Sequence, residues 1–354
     1  MKTLGSEYGH YIGKKWLVLF VMLCITLVSG LFSLGAGSAG LAVRDILLAL
    51  SRNGDVRTEA IIWNVRMPKL AAAAAVGAAL ALSGCVMQNV LRNPLASSST
   101  LGVSQGASFG AAVAIVYFGA GIQVSAGGTS SALTVTNPVL VTVCAFVGGM
   151  ATTLVILAVS RLRGTTPTTM ILAGVALSSM FSGGTALIQY FCDDVMVSTI
   201  VYWTFGSLGR AGWRDIAIIA ALTLAAFIYF MLNRWDYNAM ESGTSTAKSL
   251  GVHVEALIVG SMAVCALISS VAVAFVGCIS FIGLIAPHIM RRFLGNDYRF
   301  LIPGSALCGA ALLIVSDIVS RTLIAPTVLP IGALTSFLGA PLFLYLIIKK
   351  GGVK

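Results

Sequence analysis

The chain consists of apolar runs of roughly 20 residues, each bounded by a short cluster of charged or turn-forming residues. A run of this length can cross the hydrocarbon core of a bilayer as one helix. Helix is the expected conformation because lipid offers the backbone no hydrogen-bond partners. Only 10% of the residues are charged, against about a quarter in soluble domains. The sequence therefore predicts an all-α, polytopic membrane protein with a single transmembrane domain over residues 1–354.

Ten such runs can be counted if the long apolar block 254–294 is divided at Gly277, because that block is too long for one crossing. Ten crossings place both termini on one side, with an N-terminal tail of about residues 1–15. Fourteen of the 22 Lys and Arg residues then lie on the side of the termini and eight on the other, which indicates cytoplasmic termini. The predicted spans are 16–36, 68–91, 101–119, 138–160, 170–191, 213–233, 254–275, 277–294, 300–323 and 330–348.

The sequence also excludes several classes of function. It contains no GxxxxGK[ST] motif, so it binds no nucleotide through a phosphate-binding loop. Its seven cysteines include no CxxC pair and lie mostly within apolar runs, which favours neither a disulfide framework nor a zinc site. We therefore expect no catalytic residue, no metal site and no cofactor in this chain. If transport is active, another chain must supply the energy.

Polar residues within the apolar runs are few, and each has a structural alternative to a functional role. Asp317 and Arg321 are four residues apart and favour an ion pair on one helix. His288 is interpreted as a structural hydrogen-bonding residue, with a gating or ligand role as the alternative. Gln88 and Gln105 either line a path or bond to neighbouring helices. This scarcity of buried ionisable groups argues against an ion-coupled secondary transporter, which remains the alternative function.

A set of ordered motifs resembles the FecCD-type permease family of ABC importers for iron–siderophore complexes, haem and vitamin B12. Each motif alone is weakly specific, whereas the ordered set is highly specific. The stretches include Arg66-Met67-Pro68-Lys69 and Asn93-Pro94-Leu95-Ala96, together with 77–80, 83–84, 101–107, 172–177, 203–208, 247–252, 281–291, 329–333 and 339–343.

The resemblance implies a type II ABC importer permease with ten helices, located in the bacterial cytoplasmic (inner) membrane. The expected partners are a second permease copy, in a homodimer or heterodimer, an ATP-binding cassette ATPase dimer, and an external substrate-binding protein or lipoprotein. ATP and Mg belong to the ATPase, and the transport path lies between the two permeases. The expected substrate is an iron–siderophore complex, with haem and a corrinoid as alternatives. No nucleic-acid partner is expected.

The resemblance also assigns a docking role to three basic residues. Arg66, Lys69 and Arg321 match the positions through which such permeases meet acidic residues of the binding protein. Charges at the rim of an interface steer and orient a partner more than they add affinity. The alternative for Arg66 and Lys69 is anchoring to lipid headgroups.

The resemblance further places a cytoplasmic coupling loop, which contacts the ATPase, at about residues 236–252. A short surface helix is predicted in this loop. Two positions depart from the family pattern: Gly243-Thr244-Ser245 stands where Gly-Glu-Glu is frequent, and Val328 stands where a Glu is common. The predicted coupling residues are Gly243, Ala247, Lys248, Ser249, Leu250 and Gly251.

A cytoplasmic gate is the last feature that the resemblance implies. The Thr-rich connection between the fourth and fifth spans falls where the family narrows its gate, although such a cluster is also typical of a loop. The Asn-Pro motif is interpreted as a cytoplasmic hinge, because Pro removes a backbone donor and Asn can cap a helix. The predicted gate residues are Gln88, Asn93, Thr165, Thr166 and Thr168.

Overall fold

The computed structural model describes residues 2–36, 43–120, 137–163, 166–325 and 327–350. Within these ranges the chain is helical or forms turns and connections, without a β-strand, which confirms the predicted all-α fold. A π-helical turn at Ile62–Arg66 joins α3 to α4, and a 3-10 turn at Leu208–Arg210 precedes α9. The helices are α1 (Lys2–Gly35), α2 (Val43–Leu50), α3 (Val56–Ile61), α4 (Met67–Val90), α5 (Val103–Tyr117), α6 (Pro138–Arg163), α7 (Pro167–Tyr190), α8 (Asp194–Thr204), α9 (Trp213–Leu232), α10 (Arg234–Glu241), α11 (Thr244–Ser249), α12 (Val254–Val276), α13 (Ile282–Leu294), α14 (Tyr298–Thr322) and α15 (Ile331–Lys350).

Each of the ten predicted spans coincides with one helix, namely α1, α4, α5, α6, α7, α9, α12, α13, α14 and α15. Seven helices in the described part of the chain are long and apolar enough to cross a membrane. The predicted spans 101–119 and 277–294 were too long, because α5 has 15 residues and α13 has 13. At 1.5 Å per residue each of these two helices reaches only roughly 20 Å, less than a bilayer core.

The centre of the fold is α4, which packs against α9, α12, α13 and α14. Residues 79–90 of this helix are all buried. Two glycines allow the neighbouring backbones to approach. A Cβ atom on Gly77 would overlap the Gly309 carbonyl group of α14, and one on Gly84 would overlap the Gly283 carbonyl group of α13. The small residues of this segment therefore produce close helix packing, as their sequence predicted.

A second closely packed pair consists of α5 and α6. Gly106 of α5 faces the carbonyl oxygen of Gly148 in α6, and Gly110 faces that of Cys144. In contrast, α7 is the least buried of the candidate spans. The helices around α4 thus form a core, whereas α7 presents most of its surface outward.

The break between α12 and α13 lies at the glycine predicted from the sequence. Gly277 has a φ of +84° and ends α12. Non-helical backbone continues to Phe281, whose φ of +67° is unusual for a residue with a side chain. The break packs against the connection after α8 and the start of α15: Ser207 N donates to Val276 O at 2.7 Å, and a Cβ atom on Gly332 would overlap the Cys278 carbonyl oxygen. Non-helical backbone at membrane depth is tolerated where protein surrounds it.

The bundle has two ends, which we name by one residue each. The Arg66 end contains the last turn of α1, the beginning of α4 and the connection between α14 and α15. The Glu241 end contains α10 and α11, so the predicted coupling loop 236–252 forms two short helices. The expected N-terminal tail is helical from Lys2 onward, as part of α1. Most of the segment between α5 and α6 lies outside the described residues.

Candidate docking and coupling sites

Two of the three predicted docking residues bind the C-terminus of α1. Arg66 lies at the start of α4, and its Nη1 donates to the carbonyl oxygens of Leu34 and Gly35, the latter at 3.1 Å. Arg321, in the last turn of α14, donates from Nη1 to Ala36 O at 3.2 Å. The last carbonyl groups of a helix lack intrahelical donors and carry partial negative charge, so they favour a cation. Both guanidinium groups therefore cap α1 within the subunit.

Arg321 also forms the ion pair that the spacing in the sequence predicted. Its Nη2 atom lies 2.7 Å from Oδ2 of Asp317, and the two side chains are only 9% and 7% exposed. Arg66 is likewise buried. In this conformation neither guanidinium group is free at the surface, and the docking role of both residues stays a prediction.

Lys69 occupies a different environment, one turn further along α4. It borders a cleft of about 240 Å³ between the 206–209 segment, the end of α14 and the 328–331 segment. Among the residues that the structure describes, Lys69 is not part of a salt bridge. Asp317 and Val328 also border the cleft. Lys69 is therefore the member of the predicted docking set whose amine can meet a carboxylate from another protein.

The Glu241 end is held together by a polar network centred on Glu241 of α10. Its carboxylate accepts hydrogen bonds from Asn296 Nδ2 at 2.9 Å, Asn89 Nδ2 at 3.1 Å and the Tyr298 hydroxyl at 3.2 Å. Asn89 also donates to Tyr237 O at 3.1 Å. One carboxylate thus connects α10 to the end of α4 and to the start of α14.

The network continues to α13 through Arg291. This guanidinium group donates to Gln88 Oε1 and to the Tyr298 hydroxyl, the latter at 3.1 Å. Gln88 in turn donates to the carbonyl oxygens of Gly283 and Leu284 at 3.4 and 3.5 Å. Gln88 therefore bonds across helices, one of the two roles considered from the sequence. In this conformation it is buried, and its predicted gate role remains a prediction.

Asp297, in the connection between α13 and α14, forms a second junction. Its carboxylate pairs with Lys15 of α1 at 3.3 Å and with Arg299 at 2.7 Å, and it accepts from Asn238 Nδ2 at 3.3 Å. Burial opposes the ionised form, but these hydrogen bonds and charges outweigh it and lower the pKa of Asp297 to about 2. The carboxylate is therefore ionised at neutral pH and attaches α1 to the coupling helices.

The predicted coupling residues divide into structural and exposed positions. Gly243 immediately precedes α11 and has a φ of +111°, and Gly251 follows the helix with a φ of +87°. Both conformations favour glycine. Ala247 is buried, whereas Leu250 is 69% exposed. Lys248 is exposed and pairs with Glu255. Ser249, also exposed, donates to a backbone carbonyl within α11.

The predicted gate residues other than Gln88 lie in connections or at helix starts. Asn93 Oδ1 accepts from Leu95 N at 2.9 Å and stabilises the turn after α4. Thr166 caps α7, with its hydroxyl accepting from Thr169 N at 3.3 Å, and Thr168 is exposed in the first turn. Thr165 lies outside the described residues. A gate role for these residues stays a prediction.

Sequence reasoning missed the residues at the centre of the polar network, Asn89, Glu241 and Tyr298. Their pairing joins residues about 150 and 57 positions apart along the chain, and one sequence cannot show such contacts. The available signal was two adjacent amides, Gln88 and Asn89, at the end of an apolar helix. Polar side chains at such depth require partners on neighbouring helices.

In the described part of the chain, no three His, Cys, Asp or Glu side chains lie close enough to hold a metal ion. The geometry consists instead of a cleft bordered by Lys69 at the Arg66 end and a pair of short surface helices held by Glu241 at the other end. The helices α4, α13 and α14 connect the two ends.

The sequence is similar to those of known proteins over most of its length. The family model described as the FecCD transport family matches residues 25–349. A protein of Methanocaldococcus jannaschii described as an ABC transporter permease is 52% identical over 98% of both chains. The hemin transport system permease of Yersinia pestis is 33% identical, over 94% of this chain and 96% of its own length. A vitamin B12 import system permease of Vibrio vulnificus is 31% identical, over 95% and 96%.

A solved structure gives the same result at the level of the fold. It is described as an inward-facing conformation of a metal-chelate type ABC transporter. It superposes with a TM-score of 0.81 at 29% identity, covering 94% of this chain and 99% of its own. The predicted type II ABC importer permease fold is confirmed. The chain belongs to the FecCD transport family and is an ABC importer permease.

Proposed function

We propose that this chain is the membrane subunit of an importer driven by a separate ATPase, and that it carries an iron–siderophore complex into the cytoplasm. The observation that carries the proposal is the pair of partner surfaces at opposite ends of one helical bundle. The sequence has no phosphate-binding loop, so the hydrolysis of ATP with Mg is assigned to the partner.

The Glu241 end is assigned to the cytoplasm, with both termini on that side of the cytoplasmic membrane. The excess of Lys and Arg on this side supports the orientation. Here the ATPase contacts α11, where exposed Leu250 offers an apolar contact next to Lys248. Because Glu241 and Asp297 clamp α10 to α1, α4 and α14, displacement of the coupling helices would be passed to the bundle.

The Arg66 end is assigned to the external binding protein. Lys69 is the proposed contact, since its amine borders an open cleft and has no salt-bridge partner in the described residues. Arg66 and Arg321 support the same surface by fixing the end of α1. Val328 borders the cleft and stands where a Glu is common in the family. The contact with the binding protein at this cleft is therefore assigned to the basic residue Lys69.

A second permease copy is proposed to pack against α7. This helix is the least buried candidate span of the described chain. Its outward surface carries small and polar residues, Ser179, Ser182 and Gly183, and a Cβ on Gly183 would meet open space. Small residues let two helices approach closely, and hydroxyl groups can face a path between them. The two α7 helices would then border the transport path.

Haem and a corrinoid remain the alternative substrates. The hemin and vitamin B12 permeases differ from this chain to a similar extent, at 33% and 31% identity, so identity does not rank these substrates. The metal-chelate transporter with the matching fold supports a metal chelate, a class that includes all three substrates.

The test is reconstitution of the permease with its ATPase in liposomes, with binding protein loaded with ferric siderophore, haem or cobalamin. We expect ATP-dependent uptake of the siderophore complex and no hydrolysis by the permease alone. Lys69→Gln should weaken stimulation by the binding protein, whereas Arg57→Gln, an exposed charge on the same end, should not. Uptake that persists without ATP and collapses with an uncoupler would instead establish the ion-coupled alternative. Uptake of haem or cobalamin alone would overturn the substrate.

A further inference from the structure

A crevice of about 650 Å³ opens between α6 and α9 near the Arg66 end. The first turns of α6 and α9 form its two walls, the end of α12 forms its floor, and residues of α8 also border it. The walls are mostly apolar, with Val139 and Val143 on α6 and Ile218 on α9, and the floor is Ala274 and Phe275. The volume is in the range of pockets that hold small organic molecules.

Two arginines border the crevice at its outer end. Arg210 donates to Tyr202 O at 2.7 Å and Trp203 O at 3.0 Å, which fixes its guanidinium group beside the cavity. Arg214 is exposed, and among the described residues it belongs to no salt bridge. The neighbouring carboxylate, Asp215, accepts from the backbone of Gly212 at 2.9 Å and caps α9. The net charge at this rim is positive, and the N-terminus of α9 adds to it.

The surface around the crevice is suited to lipid. Val139, Val143 and Val147 are exposed along α6 and carry no polar group. Tyr202 and Trp213 are exposed at the level of the arginines. Aromatic side chains with a polar atom concentrate where acyl chains meet headgroups. The crevice therefore opens sideways into the bilayer, with its charged rim at the headgroup level.

We propose that the crevice binds an anionic membrane lipid. One acyl chain occupies the apolar space between α6 and α9, and the phosphate of the headgroup lies against Arg214 and Arg210. Charge complementarity selects the anionic headgroup, and the apolar walls select a lipid over a free anion. A soluble phosphate would use only the rim and leave the cavity without an occupant. The crevice adjoins the Lys69 cleft at Tyr202, but its charged residues, Arg210 and Arg214, do not border that cleft. The lipid site therefore does not depend on the transport assignment.

The test uses the full chain in nanodiscs of phosphatidylcholine with added phosphatidylglycerol, followed by native mass spectrometry of lipid retained after transfer to detergent. We expect one phosphatidylglycerol to be retained by each chain. Arg214→Gln should weaken its affinity about fivefold, the effect of one basic residue at a membrane surface. Arg57→Gln removes an equally exposed charge on the same end and should leave the affinity unchanged.

Two further measurements separate lipid from other occupants. Thr142→Phe places a ring into the crevice from α6 and should abolish retention while Arg214 is intact. A thermal unfolding midpoint within a few degrees of wild type excludes misfolding as the cause. Inorganic phosphate at millimolar concentration should not displace the lipid. Equal retention of phosphatidylcholine and phosphatidylglycerol, unchanged retention in Thr142→Phe, or displacement by free phosphate would each overturn the proposal.

Discussion

The polar network at the Glu241 end can be tested by one isosteric substitution, Asn89→Asp. The Asn89 amide nitrogen donates to Tyr237 O and to a Glu241 carboxylate oxygen, both at 3.1 Å. In the variant, an acceptor replaces this donor without a change in shape. Two hydrogen bonds worth about 1 kcal/mol each are lost. A second carboxylate beside Glu241 adds repulsion on the order of 1–4 kcal/mol, according to the local dielectric.

Together these losses predict destabilisation of about 3–6 kcal/mol, because Asn89 is buried and bulk water does not replace the lost contacts. The assay is thermal unfolding of the purified permease, in which the midpoint should fall by several degrees. In liposomes with the partner ATPase, we expect ATP hydrolysis to continue while uptake for each ATP decreases, since α10 is no longer held to α4.

The matched control is Asn296→Asp, which makes the same change against the same carboxylate. Asn296 donates to Glu241 at 2.9 Å but is exposed, so its substitution should cost less than about 1 kcal/mol. If the two variants unfold at the same temperature, or if Asn89→Asp unfolds like wild type, the network does not clamp α10 and the reasoning is wrong.

Three further predictions concern packing, the buried ion pair and pH. Gly84→Ala should destabilise the bundle by about 1–3 kcal/mol, because its Cβ would overlap a backbone carbonyl of α13, whereas Gly30→Ala, with only ordinary contacts, should unfold like wild type. Arg321→Gln leaves the buried Asp317 carboxylate without its partner and should lower the free energy of unfolding by about 3–5 kcal/mol. Adding Asp317→Asn should recover part of that loss. A double variant no more stable than Arg321→Gln alone would contradict a charge effect. Asp297→Asn should lower the unfolding midpoint by the equivalent of about 1–2 kcal/mol at neutral pH. The pKa of Asp297 is lowered from 3.8 to about 2. The stabilisation by its carboxylate is therefore fully present above about pH 4 and is lost as the pH falls toward 2. A difference in unfolding midpoint between Asp297→Asn and wild type that grows on acidification would refute the assignment.

Features that depend on nearby residues could be predicted from the sequence. Each apolar run identified one helix, Gly277 marked the break after α12, and the four-residue spacing of Asp317 and Arg321 gave their ion pair. Helix length, glycine conformation and i,i+4 contacts are properties of a short segment of chain. These features therefore require no knowledge of the tertiary fold.

Contacts between distant residues could not be predicted. Nothing in the sequence indicates that Arg66 and Arg321 meet the end of α1, because a guanidinium group at a helix end can equally face water, lipid or a partner. The same holds for Glu241, whose three donors come from α4, α14 and the connection before it. The extent of α13 was also misjudged, since an apolar segment is compatible with helix or with buried non-helical backbone.

The attachment of α1 has a practical consequence for measuring motion. Lys15 of α1 pairs with Asp297, just before α14, and Thr26 in the middle of α1 donates to Leu307 O of α14 at 3.2 Å. At the far end, Arg321 of α14 binds the carbonyl oxygen of Ala36, directly after α1. With three attachments along its length, α1 moves with α14 as one rigid unit. Leu27 on α1 is largely exposed, so a spin label there would disturb little packing. Distances between such labels in two copies would report how far α14 travels during a transport cycle, without modification of either partner surface.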